Sequence, residues 1–160
     1  MSHIRGADQQ DDKALSAIDS ATWSPHVTPA AAREPGSPFF NDRMQPGDVL
    51  VAEKEGLVVG YAMLRQSIPM PSHRHVLEVA GLAVDPTQWG QGIGRRLMEE
   101  AKREAHQRGA RKLSLRVLAP NVTARLLYES CGFTVEGILK AEFLLQGQLV
   151  DDVLMACHIA

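Results

Sequence analysis

Three kinds of residue in this chain stand where they could do chemistry: a run of glycines, a carboxylate inside an apolar strand, and a phenol on an apolar helical face. Gly90, Gly92 and Gly94 alternate between an apolar strand at residues 78–84 and a long helical pattern, with Arg95 and Arg96 just inside it. Glycine in a helix interior costs up to ~1 kcal/mol relative to alanine. A helix start offers unpaired N–H groups and the positive end of the dipole, so bare backbone there suits an anion approaching closely. The competing reading is a tight turn with close helix–sheet packing. No Gly-Lys-Ser/Thr follows, which excludes a Walker-type phosphate loop. The glycines come after an antiparallel hairpin, which disfavours a dinucleotide fold.

Glu78 lies within the apolar strand, on the face of Val76, Ala80 and Leu82 if no bulge intervenes. A carboxylate there is costly unless it has a partner or wet surroundings. A structural ion pair and a proton-accepting role are both open. Tyr128 falls on the face of Ala124, Leu127 and Cys131, where it is either an ordinary core tyrosine or a positioned proton donor. Asn121 opens the same helix and is a good N-cap. His73 and His75 read as loop and strand-end residues. Glu142, Asp151 and Asp152 could attract a cation, although a solvated hairpin face is favoured. Cys131 and Cys157 lack metal-ligand spacing and read as buried or half-buried thiols in a reducing compartment.

These residues need elements to hold them. A short strand at residues 2–5 precedes a helix capped by Asp8 and running to about Ile18. Residues 21–46 carry five prolines, leaving only a short helix at 30–33 or 39–44 credible. Trp23, Phe39 and Phe40 lie in this segment. A hairpin follows, residues 49–52 and 57–64 around Lys54-Glu55-Gly56. The strand at 75–84 is apolar on both faces, as a covered central strand would be. The helix at 92–108 presents Ile93, Leu97, Met98, Ala101 and Ala105 on one side and ends at Gly109. Then come an alternating strand at 112–118, an amphipathic helix at 122–130, and a hairpin of residues 134–145 and 149–159. The order predicts an α/β layer architecture with a mixed sheet.

The 160 residues suit one domain spanning 1–160. With 44% hydrophobic and 22% charged residues, the chain is globular rather than disordered. A formal net charge of −2 gives no global pull towards nucleic acid or anionic membrane. The polar N-terminal residues do not read as a signal peptide, and no apolar run spans a bilayer, so a cytoplasmic protein is expected.

With these pieces placed, the chain resembles the GCN5-related N-acetyltransferase (GNAT) superfamily over most of its length. The strand, Gly90-Gln91-Gly92-Ile93-Gly94 and the helix look like that family's acetyl-CoA pyrophosphate loop. Asn121, Ala124, Tyr128, Gly132 and Phe133 match its spacing on the next helix, and the element order agrees. The resemblance implies a mostly antiparallel mixed sheet of six or seven strands flanked by about four helices. It implies an acyltransferase that moves the acetyl group of acetyl-CoA directly to a primary amine of a small molecule, amino acid or peptide N-terminus. Backbone N–H groups of Gln91, Gly92, Ile93, Gly94 and Arg95 would hold the pyrophosphate, with Trp89 and Gly90 also against the cofactor. Leu82, Ala83 and Val84 would meet the pantetheine and acetyl carbonyl, and Asn121 and Ala124 the cofactor. Tyr128 would be the general acid, and Glu78 the base, often through water. Trp89 stands where the family usually carries Gln or Arg, so the cradle should rest on backbone, and Trp89→Gln should change CoA affinity little. A homodimer through the terminal strands is among the partners implied. A non-catalytic acyl-CoA sensor of the same fold is the rival reading; a longer acyl group or an oxygen acceptor is a weaker one.

Overall fold

The computed structural model describes residues 2–159. Its strands are β1 (His3–Gly6), β2 (Val49–Lys54), β3 (Leu57–Arg65), β4 (Val76–Val84), β5 (Lys112–Leu118), β6 (Thr134–Leu145) and β7 (Gln148–His158). They form one seven-stranded sheet in the order β1-β2-β3-β4-β5-β7-β6. Neighbours are antiparallel except β4 and β5, which run parallel because α2 carries the chain between them. Among the described residues there are three α-helices, not about four: α1 (Asp12–Thr22), α2 (Ile93–Gln107) and α3 (Val122–Ser130).

The missing helix has a physical cause. Residues 30–33 and 39–44 form no helix. The Phe39 and Phe40 N–H groups instead donate to Asp12 Oδ2, at 3.0 and 2.9 Å. Prolines remove further donors from the segment. Its other anchors are Arg33, whose Nε donates to Asp19 Oδ2 at 2.9 Å and whose guanidinium lies 5.2 Å from the Phe39 ring centroid. Tyr61 Oη completes the clamp by donating to Asp19 Oδ1 at 2.9 Å. The long loop is therefore fastened across α1, and burial beside Asp19 pushes the Tyr61 phenol well above its usual range.

The apolar stripe of α2 is buried as its spacing requires, with Ile93, Leu97, Met98, Ala101 and Ala105 all against the sheet. Met98, Ala101 and Ala105 join Leu113, Leu115 and Val117 of β5, Val153 and Met155 of β7, and Phe133 in one core. Each fully buried large side chain contributes about 1.5–3 kcal/mol. Leu15 and Ile18 of α1 cover the opposite face with Val49, Val51, Tyr61, Phe39 and Phe40.

Two irregularities of β4 matter most. Its pairing with β3 shifts between Met63↔Gly81 and Leu64↔Val79, so Ala80 is an extra residue, a β-bulge. Its pairing with β5 runs only from Val76↔Lys112 to Val79↔Leu115. Beyond Val79 the two parallel strands are unpaired, leaving a gap between Leu82–Val84 on one side and Arg116–Leu118 on the other.

Candidate active site

The glycine loop ends in an unpaired cradle. No backbone N–H of residues 90–95 donates to another described residue; the first backbone bond is Arg96 N–H to the Gly92 carbonyl, 3.1 Å. The N-cap of α2 is Gly92, which supplies no side-chain acceptor. The three glycines serve different needs. Gly90 and Gly92 lie before the helix in the left-handed region, at φ 82° and 78°, which disfavours other residues. Gly94 is helical, and a Cβ there would lie 3.3 Å from Leu127 Cδ2 of α3. Ile93 is buried in the core, so only its N–H faces the loop. Arg95 donates through Nη2 to the Ser130 carbonyl at 3.2 Å, joining α2 to α3. Arg96 bonds Ser2. A run of bare donors at a helix start accepts a pyrophosphate-like anion.

From the cradle the chain leads back along β4 to the gap. The Asp85 N–H to Val59 carbonyl bond, 2.8 Å, sets the ladder's alternation. Leu82 and Val84 therefore turn their N–H and C=O groups away from β3 into the gap, while those of Ala83 turn towards Tyr61. The Val84 carbonyl is already occupied. The Trp89 indole Nε1–H donates to it at 2.7 Å, although the indole is 65% exposed. The residue standing in place of the family's polar side chain thus ties the loop to the end of β4.

The Ala80 bulge decides where Glu78 points. Leu77 and Val79 pack into the core beneath α2, and after the extra residue so do Leu82 and Val84. Glu78 consequently shares the opposite face with Gly81 and Ala83, a correction to the bulge-free placement beside Ala80 and Leu82. Its cross-strand partner is Arg65, whose Nε and Nη2 donate to Glu78 Oε1 at 3.0 and 2.7 Å. The carboxylate is 12% exposed, and Oε2 has no hydrogen-bond partner among the described residues.

Tyr128 packs beneath the sheet on the α2–α3 side, its ring 6.2 Å from that of Phe133. Burial pushes its phenol up to about 12, with a smaller contribution from Cys131. No described residue hydrogen-bonds its hydroxyl. Asn121 caps α3 by accepting from the Ala124 N–H at 3.3 Å, and Ala124 packs against the core.

Some residues were beyond sequence reasoning. Asp152, expected on a solvated face, is 4% exposed and accepts from Arg116 Nε at 2.6 Å; Arg116 also reaches Glu142, 3.3 Å away. Its alternation within β7 could have hinted at this, but not its partner 36 residues away. Asp151 instead accepts from Ala141 N–H and Lys140. Lys54 donates to Gln88 Oε1 and Gln91 Oε1, at 3.1 and 2.6 Å, from the far hairpin. His73 and His75 lie 6.3 Å apart, centroid to centroid, away from the cradle in the β3–β4 connection.

A parallel-strand gap, a bulged central strand and a bare helix start thus meet at one end of the sheet of this α/β protein. The chain belongs to the acetyltransferase (GNAT) family, whose model matches residues 13–133. It is 35% identical over 107 residues to phosphinothricin N-acetyltransferase of Alcaligenes faecalis, covering 66% of this chain and 54% of that protein. It is 29% identical over 140 residues to the L-methionine sulfoximine/L-methionine sulfone acetyltransferase of Salmonella typhimurium, covering 82% and 80% respectively. The chain spans about half the length of the first of these relatives. Among solved structures it is similar to a protein of Streptococcus mutans, with 27% identity, a TM-score of 0.87 and 99% of each chain covered. Among the described residues no helix is long and apolar enough to cross a membrane.

Proposed function

We propose that this chain is an acetyl-CoA-dependent N-acetyltransferase that moves the acetyl group directly to a primary amine. The observation that carries this reading is the continuity of two unpaired backbone surfaces. The N–H groups of residues 90–95 suit the pyrophosphate, and the gap-facing N–H and C=O of Leu82 with the N–H of Val84, whose carbonyl Trp89 takes, suit the amides of the pantetheine arm. The relatives' names, for phosphinothricin and methionine sulfoximine, support a small amine acceptor.

The thioester would lie in the gap, between the faces that carry Glu78 and Tyr128. An amine is mostly protonated at neutral pH, with a reference value of about 10.4 for lysine. Glu78, with one oxygen held by Arg65 and the other free, accepts its proton directly or through water. The amine attacks the acetyl carbonyl, whose developing charge is met by backbone N–H groups beside the bulge. The tetrahedral centre collapses, the C–S bond breaks, and Tyr128 donates its proton to the leaving thiolate, while the nitrogen gives up its second proton to water and solvent reprotonates the phenolate. Because burial raises its affinity for the proton, the phenol stays protonated through the neutral range. Holding amine and thioester together supplies the remaining advantage.

Incubation with acetyl-CoA and a panel of amino acids, small amines and peptides should release free CoA with at least one acceptor. Calorimetric binding of acetyl-CoA with no turnover across the panel would instead favour a sensor.

A further inference from the structure

We propose that Lys54 is a positioning residue of the anion cradle, holding the glycine loop in its binding shape from the β2–β3 hairpin; this rests on the acetyltransferase reading above. The loop needs such a restraint. A Cβ at Gly90 or Gly92 would meet nothing within 4 Å, so no packing fixes the backbone there. Glycine also has the most conformational freedom to lose when an anion orders it. The N–H groups of residues 90–95 have no partners among the described residues to hold them either.

Two side-chain ties supply what packing does not. Trp89 fastens the loop to the Val84 carbonyl. Lys54 spans the loop by donating to Gln88 and Gln91, which flank Trp89 and Gly90. Lys54 makes no ion pair among the described residues, although Glu53 and Glu55 are its chain neighbours. Its ammonium rests on two neutral amides beside the bare helix start. A cation kept free of carboxylates there leaves the cradle's positive potential undiminished. Lys54 acts through Gln88 and Gln91, so its effect should be confined to donors that carry a pyrophosphate.

The experiment compares acetyl-CoA with S-acetylpantetheine, which lacks the pyrophosphate, in wild type, Lys54→Ala and Lys54→Arg. Calorimetric titration with CoA runs alongside. Lys54→Ala should raise the KM for acetyl-CoA and the Kd for CoA about tenfold, the loss of two modest hydrogen bonds. It should leave kcat within twofold and S-acetylpantetheine kinetics unchanged, and Lys54→Arg should restore most of the affinity. Equal effects on both donors, or unchanged CoA affinity in Lys54→Ala, would overturn the proposal. Wild-type CoA binding without turnover would sink the transferase reading alone, leaving the Kd comparison to decide on Lys54. A wild type that binds no CoA would sink both.

Discussion

Glu78 and Tyr128 lie on opposite faces of the sheet, on either side of the gap where β4 and β5 part. Glu78 shares the face of its pairing partners Arg65 and Ser114, whereas Tyr128 packs with Val79, Leu113 and Leu115 beneath α2 and α3. Under the proposed function, an acyl group in the gap would be open to an amine from one side and to a proton donor from the other.

Tyr128→Phe tests the donor side. The hydroxyl has no partner among the described residues, so its loss should leave folding almost unchanged while kcat falls about 100-fold. The Kd for acetyl-CoA should stay within twofold. With the phenol pushed up to about 12, wild-type kcat should show no alkaline decline from this group below about pH 10. Stopped assays of released thiol across pH, with calorimetry, read each quantity.

Glu78→Gln should lower kcat/KM for the amine about 100-fold at neutral pH. The deficit should shrink as pH approaches the amine's own value and the acceptor deprotonates unaided. Arg65 is 59% exposed, so the broken pair should cost less than about 1 kcal/mol in stability. Equal deficits at pH 7 and pH 9.5 would remove Glu78 from the proton path.

Trp89→Phe removes the donor to Val84 while keeping an aromatic ring. A hydrogen bond of this kind contributes about 1 kcal/mol, so CoA affinity should fall about fivefold. Trp89→Gln retains an N–H and should fall less. Identical affinities in all three proteins would show that the tie to β4 does not shape the cradle.

Gly92→Val places a β-branched residue at φ 78°, where an ordinary L-residue already costs roughly 1–2 kcal/mol. The N-cap should shift and withdraw the N–H groups of residues 92–94, raising the Kd for CoA at least 100-fold. The melting temperature should drop by only a few degrees, since the site precedes the helix. Unaltered CoA affinity in a folded Gly92→Val would place the anion elsewhere.

Acid stability should depend on Asp11. The hydrogen-bonded Arg5 guanidinium holds this carboxyl below the ordinary value of 3.8, through Nη1 and Nη2 contacts of 2.9 Å each. A depressed folded value means stability that is present above the unfolded value and lost as pH falls through the folded one. Asp11→Asn should therefore melt lower than wild type at pH 7, and the difference should narrow below about pH 4. Thermal melts from pH 7 to pH 2.5 measure it.

Much of the architecture was legible because it is written in local periodicity. The α2 stripe from Ile93 to Ala105, the alternation of Leu113, Leu115 and Val117, and the turn at Glu55-Gly56 depend on neighbours within a few residues. The expected short helix at 30–33 or 39–44 failed for the opposite reason. Its backbone donors found Asp12, 27 and 28 residues away. Asp152 was misread as solvated because its partner, Arg116, lies on another strand.

The candidate site divides along the same line. By itself the sequence determined that a glycine-rich helix start follows an apolar strand and that the next helix opens on a capping asparagine and carries a tyrosine on its apolar face, since spacing along one element decides each. Tertiary structure alone decided that Ala80 bulges, because an extra residue is revealed only by the register of β3 against β4. That single residue turns Glu78 onto the face opposite Tyr128. Only tertiary structure brought Trp89 to the Val84 carbonyl and Lys54 to Gln88 and Gln91, because these contacts depend on how the hairpin, β4 and the loop converge in space.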